Sequence, residues 1–389
     1  MLHIYMPGLG YPSKENRYGD GQIITDGNNY LIIDAFCGNM ADTFIKKLKT
    51  WRVKSPILAI SHAHYDHYDG ISKIIKDSYF SPKILYCYDP ESLKAGLSNN
   101  KGSKEVKSDI SSLQSIINLA KDKGITVKYL KHGDLITHKD IKFKVYRVQP
   151  TKVADDDNEG WSYVNDGSLC FYFYEIGYWT SGDGPERIYD VITSVGAKVK
   201  FFKIPHHGNN CTKSQAIGLK KQGAHFCWYN HLEPDGIGTT EFTAYGARRC
   251  KQNGITVLDS HTDINILAYD KHTYIFHNAK LLTTYDCSYA GKNTLNEPSV
   301  NVVREVFMNK FGAGDLRITN LINAGLDPFK TNKQVTFVYN LAKQIIDGDN
   351  SYGKNQARIQ NIDNKFGLGY GQLVQDEINS LLNAKSKKW

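Results

Sequence analysis

Along the first 285 residues, short apolar runs alternate with polar turns, and most of the runs have strand length. Gln22–Thr25 and Tyr30–Ile33 flank Asp26-Gly27-Asn28-Asn29, a turn sequence that predicts a β-hairpin. The apolar run Pro56–Ile60 predicts a buried strand. Phe44, Ile45 and Leu48 recur at helical spacing and predict a helix over Ala41–Thr50. Further strands are predicted at Ile141–Val148, Leu169–Tyr178, Val199–Ile204, Phe226–Tyr229, Ile264–Tyr269, Thr273–Phe276 and Leu281–Thr284. Strands interspersed with helices predict an α/β sandwich, but the pattern does not give the strand order.

Beyond Cys287 the pattern changes. Ser288–Ser299 is polar, has no core-forming period and reads as a linker. Two similar helical stretches follow. Phe311-Gly312, Arg317-Ile318 and Leu321 recur as Tyr352-Gly353, Arg358-Ile359 and Ile362, each 41 residues later. Upstream, Val303–Phe307 matches Ala342–Ile346 at an offset of 39. Each copy reads as helix, glycine turn, helix. A final helix is seeded by Val335, Val338 and Leu341 in the first copy, and by Leu373, Val374, Ile378 and Leu381 in the second. The expected division is therefore a catalytic domain at 1–285, a linker at 286–300 and small all-α repeats at 301–341 and 342–389.

Composition adds limits. Of 389 residues, 41% are hydrophobic and 23% charged, which excludes a disordered or collagen-like chain. No run approaches the roughly 18 apolar residues of a membrane-spanning helix. The start, Met1–Gly8, lacks a basic stretch followed by a long apolar run, so no signal peptide is expected. Residues 300–389 hold twelve Lys and Arg against eight Asp and Glu, half of the net charge of +8. That excess fits either a polyanion partner or a solvated basic face. Seven Cys occur without a C-x-x-C pair, which predicts buried small hydrophobes rather than a disulfide framework or zinc ribbon.

The candidate chemistry lies in three places. His62-Ala63-His64-Tyr65-Asp66-His67 follows the strand-like run directly. His62 and His64, two apart in extended backbone, point the same way and can share one cation. Asp66 and His67, expected in the following loop, can hold a second. Gly182-Asp183-Gly184 offers a carboxylate that can approach two metals closely, and Pro205-His206-His207-Gly208 offers one imidazole for a metal and one for substrate. Imidazole and carboxylate donors suit Zn²⁺, Mn²⁺ or Fe²⁺.

These three motifs, in this order, resemble those of the metallo-β-lactamase superfamily. The spelling Ile204–Gly208, with Gly19-Asp20-Gly21 and Ile32-Ile33-Asp34, is most similar to competence DNA-uptake proteins and to the phosphorylcholine-esterase branch. The resemblance covers about residues 1–280 and implies an αββα sandwich with two divalent metals, zinc foremost, at one edge of the sheets. It implies His62, His64, Asp66, His67, Asp183 and His206 as ligands, with Asp34 supporting the histidine loop. Asp66, His207 and His231 are the implied catalytic groups, and Lys203 is a further candidate donor. Many members supply a third histidine to the first metal. Here the only histidines between His67 and Asp183 are His132 and His138, and Asn165 or Asp166 stands near the expected position. The repeats resemble the three-helix cell-wall-binding repeats of phage lysozymes. That implies peptidoglycan recognition through Arg317, Arg358, Gly312 and Gly353, unless the arginines only brace their glycine turns.

Two-metal sites lower the pKa of water and stabilise developing negative charge, chemistry that serves phosphodiesters, lactams and thioesters. The repeats favour a phage-lysin-like hydrolase acting on a Gram-positive cell-wall polymer, with a teichoic-acid phosphodiester as the expected substrate. Such an enzyme would be made in the cytoplasm, act at the wall after release and have no membrane partner. The alternatives are a competence-like nuclease acting on DNA or RNA, and a peptidoglycan amide hydrolase.

Overall fold

The computed structural model describes residues 1–8, 19–97, 101–148, 150, 161–230, 244–259, 262–277, 280–312 and 315–386. The chain divides into one unit of Met1–Asn278 with Leu282–Asn293 and a second of Ala279–Leu281 with Thr294–Trp389. No helix among the described residues is long and apolar enough to cross a membrane.

The first unit is a mixed α/β structure whose described residues form two sheets, one of nine strands and one of seven. The predicted hairpin forms, Gly21–Thr25 against Tyr30–Ala35. The Asp26 carboxylate accepts hydrogen bonds from the backbone N–H groups of Asn28 and Asn29 at 2.9 and 2.8 Å, which closes the turn. The predicted helix spans Gly38–Thr50 and buries Ala41, Phe44, Ile45 and Leu48.

Leu169–Tyr178, read as one strand, is instead two antiparallel strands, Leu169–Phe173 and Tyr178–Ser181. Gly177 adopts φ +69 in the turn, a conformation that glycine reaches without steric cost. Flanking aromatics disguise the turn as a continuous apolar run.

Alternation in the seven-stranded sheet divides its two faces. Val145, Phe171, Phe173, Tyr178 and Phe201 join the large core shared with the nine-stranded sheet. Their neighbours Tyr146, Cys170, Tyr172, Trp179 and Phe202 pack instead with Ile188, Ile192, Ala216, Leu219 and Cys250 of the covering helices. Both faces are therefore buried, which explains why these strands read as unbroken apolar runs.

Topology positions the site. Tyr30–Ala35 pairs in parallel with Ile57–Ala59, and Tyr178–Ser181, Phe201–Lys203 and Phe226–Tyr229 are mutually parallel. Asp34, Ser61-His62, Gly182-Asp183, Pro205–His207 and Asn230 all lie at the carboxyl ends of these strands. Parallel strands bring such ends to one edge, where ligands bind in open α/β sheets.

The segment expected as a linker is tied down at both ends. Tyr289 is buried in the first unit's core, and its carbonyl accepts from Lys271 N–H at 2.9 Å. Asn296 belongs to the second unit, donating to Gly325 O at 2.8 Å and accepting from Asp327 N–H at 2.9 Å. A polar composition hid one buried aromatic and these backbone pairings.

Among the described residues the second unit has five helices, Val300–Phe307, Asp315–Asn323, Pro328–Ile346, Asn355–Phe366 and Tyr370–Ser386. The expected boundary between copies, 341/342, falls inside the continuous helix Pro328–Ile346. Val338, Leu341, Ala342 and Ile345 of that helix form one buried stripe. One helix thus closes the first copy and opens the second.

The offset of 41 is repeated in hydrogen bonds. Arg317 Nε donates to Gly312 O at 3.2 Å, and Arg358 Nε to Gly353 O at 3.1 Å. Asn320 Nδ2 donates to Phe311 O at 3.1 Å, and Asn361 Nδ2 to Tyr352 O at 3.2 Å. Gly312 and Gly353 share φ values of +75 and +76. Both arginines therefore brace their glycine turns.

Candidate metal centre

His64 caps the helix Tyr65–Lys76, so Asp66 and His67 lie in its first turn rather than in a loop. The helix start rotates both side chains towards Asp183. The Gly182-Asp183 turn approaches from the other sheet and packs directly on Ser61 and His62. A Cβ at Gly182 would stand 2.1 Å from Ser61 Oγ and 2.8 Å from His62 Nδ1, so this position requires glycine.

Two donor groups meet at Asp183. In the first, His62, His64 and Asp183 each place a ligand atom within 4.8 Å of the others. His62 Nε2 lies 3.1 Å from His64 Nδ1 and 3.9 Å from Asp183 Oδ2. In the second, Asp66, His67, Asp183 and His207 converge in the same way. His207 Nε2 lies 3.1 Å from Asp66 Oδ2 and 3.4 Å from Asp183 Oδ2. His67 Nε2 lies 3.4 Å from Asp183 Oδ1 and 3.7 Å from Asp66 Oδ2. A tetrahedral ion with bonds of about 2.0–2.1 Å needs donor separations of roughly 3.3–3.4 Å. The second group fits a cation of that size.

Satisfaction of polar atoms points the same way. His67 Nε2 and Asp183 Oδ1 are buried and have no hydrogen-bond partner. The outer ring nitrogens, in contrast, are engaged. His62 Nδ1 meets Ser61 Oγ at 3.0 Å, His67 Nδ1 meets Asp34 Oδ2 at 2.9 Å, and His207 Nδ1 meets Asn230 O at 3.2 Å. Asp109 Oδ2, on the helix Lys101–Asp122, stands 3.8 Å from His64 Nε2. Outer partners of this kind fix the tautomer and aim the inner nitrogen at the ion.

Electrostatics separates the two groups. Burial, then the neighbouring imidazoles His67 and His64, keeps His62 well below the ordinary histidine range. Burial likewise lowers His64 to about 4, so both rings are neutral near pH 7 with lone pairs available. In the second group burial also opposes charge, but the carboxylates outweigh it. Asp183 and Asp66 hold His67 well above the usual range, and they raise His207 to about 10. Burial raises the two carboxyls, yet His67 and His207 hold both below the usual carboxylate range. The cluster calls for positive charge, which a divalent ion supplies in place of the imidazolium protons.

Among the residues expected from sequence, His62, His64, Asp66, His67 and Asp183 come together, and His207 joins them. The sequence assignment gave the metal to His206 and catalysis to His207. In the structure His206 instead lines a cavity of about 420 Å³ beside Asp183, together with Asn165, Asp166, Glu186 and Arg187. His206 and His207 both adopt left-handed backbone, φ 52 and 50, and their ring planes are inclined by 57°. His231 lies outside the described residues.

Lys203, taken as a donor to substrate, is fully buried, pairs with Asp20 and donates to Gly182 O at 2.7 Å. It therefore faces the protein rather than a ligand. His132 bonds Arg147 O at 3.0 Å, and neither it nor His138 joins a donor group. Asn165 is 4% exposed with Oδ1 unpartnered, whereas Asp166 pairs with Arg187. Sequence reading missed Asp109, Ser61 and Asn230, which carry no metal-motif signature. None of the seven cysteines forms a disulfide, and all but Cys287 are buried.

No family model matches the chain, and no curated protein matches it. Solved structures do. The metallo-β-lactamase fold protein YhfI from Bacillus subtilis is 12% identical, with 68% of this chain and 98% of that one covered and a TM-score of 0.42. A diphosphatase of the PhnP family is 12% identical, with coverage of 68% and 97% and a TM-score of 0.40. Igni18, a metallo hydrolase from the archaeon Ignicoccus hospitalis, is 11% identical, with coverage of 68% and 99% and a TM-score of 0.39. The chain's own two-sheet α/β architecture agrees with the metallo-β-lactamase sandwich implied by the sequence motifs.

Proposed function

We propose that the protein is a metal-dependent hydrolase of phosphodiesters, with two divalent ions, zinc foremost, at the His/Asp cluster. The observation that carries this reading is Asp183, whose carboxylate belongs to both donor groups. His62, His64 and Asp183 would hold one ion, and Asp66, His67, Asp183 and His207 the other. When bound, such ions activate water and take up negative charge developing on the scissile group.

The chain's own residues do the rest. Asp34, Ser61 and Asn230 fix the histidine tautomers. His206 and Arg187, which line the cavity beside Asp183, would hold the substrate's oxygens.

The substrate proposed is a teichoic-acid-type polymer of Gram-positive walls, with the helical unit as wall anchor. The internal repeat and its resemblance to wall-binding repeats support this reading. Anchoring raises the local concentration of an insoluble substrate without altering the site. The bracing role of Arg317 and Arg358 leaves wall contact to the surface that surrounds them.

Zymography on purified walls, with and without chelator, tests the proposal when the released fragments are identified. Chelator-sensitive release of polyol phosphates is the expected result. Cleavage of DNA or RNA with no action on walls would favour the nuclease alternative. Release of free amino groups from peptidoglycan would favour the amide hydrolase.

A further inference from the structure

The carboxylates Asp20 and Asp34 form a third group with His67 behind the proposed metal site. The group already has a cation, because Lys203 is fully buried and paired with Asp20. The lysine Nζ lies 4.0 Å from Asp183 Oδ1. Its second bond is to the carbonyl of Gly182, at 2.7 Å. Gly182 is the residue that packs on Ser61 and His62, and it immediately precedes Asp183.

Asp20 extends the connection. Its Oδ1 accepts from Asn230 Nδ2 at 3.3 Å, and the Asn230 carbonyl receives His207 Nδ1 at 3.2 Å. Asp20 Oδ2 also stands 3.8 Å from His67 Nδ1. Lys203 closes the strand Phe201–Lys203 that leads into His206 and His207. One buried ion pair thus connects Asp20, just ahead of the strand Gly21–Thr25, with the Gly182-Asp183 turn and with Asn230.

We infer that the Asp20–Lys203 pair is a positioning device for the second metal ion, acting on Asp183 through Gly182 and on His207 through Asn230. The inference rests on the reading of the cluster as a metal site. A pair of opposite charges suits this task. It brings hydrogen-bonding capacity to the centre of three loops and adds no net charge beside the ions. A lone lysine there would repel them, and a lone aspartate would compete for them.

The test is metal binding by the full-length protein, stripped with chelator and titrated with Zn²⁺ against a chromophoric chelator. The double variant Asp20→Asn with Lys203→Met removes both charges and leaves local net charge unchanged, but it also removes the bond to Gly182. Of two equivalents bound by the wild type, one should weaken by about 10- to 100-fold, the range for lost outer-shell partners. The other, which shares Asp183 but not His207, should weaken less. Wild-type affinity for both equivalents in a folded double variant would overturn the inference.

Asn230→Ala keeps the ion pair and the backbone carbonyl, and so it supplies a test should the double variant not fold. It should weaken the same equivalent by several-fold, and an unchanged titration would overturn the route through His207. If the wild type itself binds no metal, the metal reading fails rather than this inference.

Discussion

Asp34 Oδ2 lies 2.9 Å from His67 Nδ1 and turns the opposite ring nitrogen towards Asp183 and Asp66. The same carboxylate accepts from Ser61 N–H at 2.8 Å and from Ser61 Oγ at 2.7 Å, and Ser61 Oγ in turn meets His62. One buried side chain thereby orients a histidine in each donor group. Asp34→Asn should weaken metal binding by about 10- to 100-fold. The fold should survive, because Asn tolerates the left-handed backbone, φ 53, that Asp34 adopts. Chelator competition together with circular dichroism checks both halves, and unchanged affinity would remove Asp34 from the account.

The histidine pair gives a sharper contrast. His207→Ala should bind one equivalent of metal fewer than the wild type after dialysis. His206→Ala should keep full stoichiometry but raise KM, because His206 lines the cavity rather than the donor group. Elemental analysis of both variants decides the matter, and metal loss confined to His206→Ala would reverse the assignment.

A pH effect is expected at a histidine outside the donor groups. His3 is fully buried, stacked on Trp51 and bonded to Asn265 at 2.8 Å. Burial lowers its pKa from 6.5 to about 4, against weaker opposing effects of Asn265 and Asp263. The folded state therefore prefers the neutral ring, while the unfolded chain takes up a proton first. The contribution is intact above pH 6.5, declines as pH falls towards about 4 and then levels off. A shift of this size corresponds to about 3 kcal/mol. Urea unfolding at pH 7 and pH 4.5 should show a smaller drop in stability for His3→Gln than for the wild type. Parallel curves would refute it.

Cutting the chain after Asn293, where the units divide, should leave hydrolysis of a small soluble phosphodiester intact. Among the described residues, every member of the candidate donor groups precedes the cut. Lysis of purified walls should drop sharply, because only an insoluble polymer benefits from anchoring. Loss of both activities would make the helical unit part of the catalytic fold. Loss of neither would remove wall targeting from its proposed role.

Within the helical unit, Arg358→Ala should lower thermal stability by about 1 kcal/mol or more, since Nε holds the Gly353 carbonyl and Nη1 meets Gln375. Arg358→Lys should not rescue it, because an ammonium cannot reproduce the planar fork. Calorimetry of the two variants checks this expectation.

The sequence by itself determined the elements and the donor types. The turn sequence Asp26–Asn29 marked the first hairpin, and the helical spacing of Phe44, Ile45 and Leu48 marked the helix Gly38–Thr50. His62, His64, Asp66 and His67 were legible because imidazole and carboxylate at such density are hard to explain as packing, and Asp183 only through the order of the three motifs. The repeat offset was legible because matched turns need matched glycines.

Only the tertiary structure decided which strands are parallel, and so which loops meet at one edge. It chose His207 over His206 for the donor group, a choice that depends on backbone dihedrals and on the carbonyl of Asn230. It revealed the helix shared by the two repeats, where a continuous apolar stripe overrides the copy boundary. It also removed Lys203 from contact with substrate by pairing it with Asp20, 183 residues away in sequence. Periodicity records which side of an element is buried, but not what is buried against it, and a partner that distant leaves no local trace.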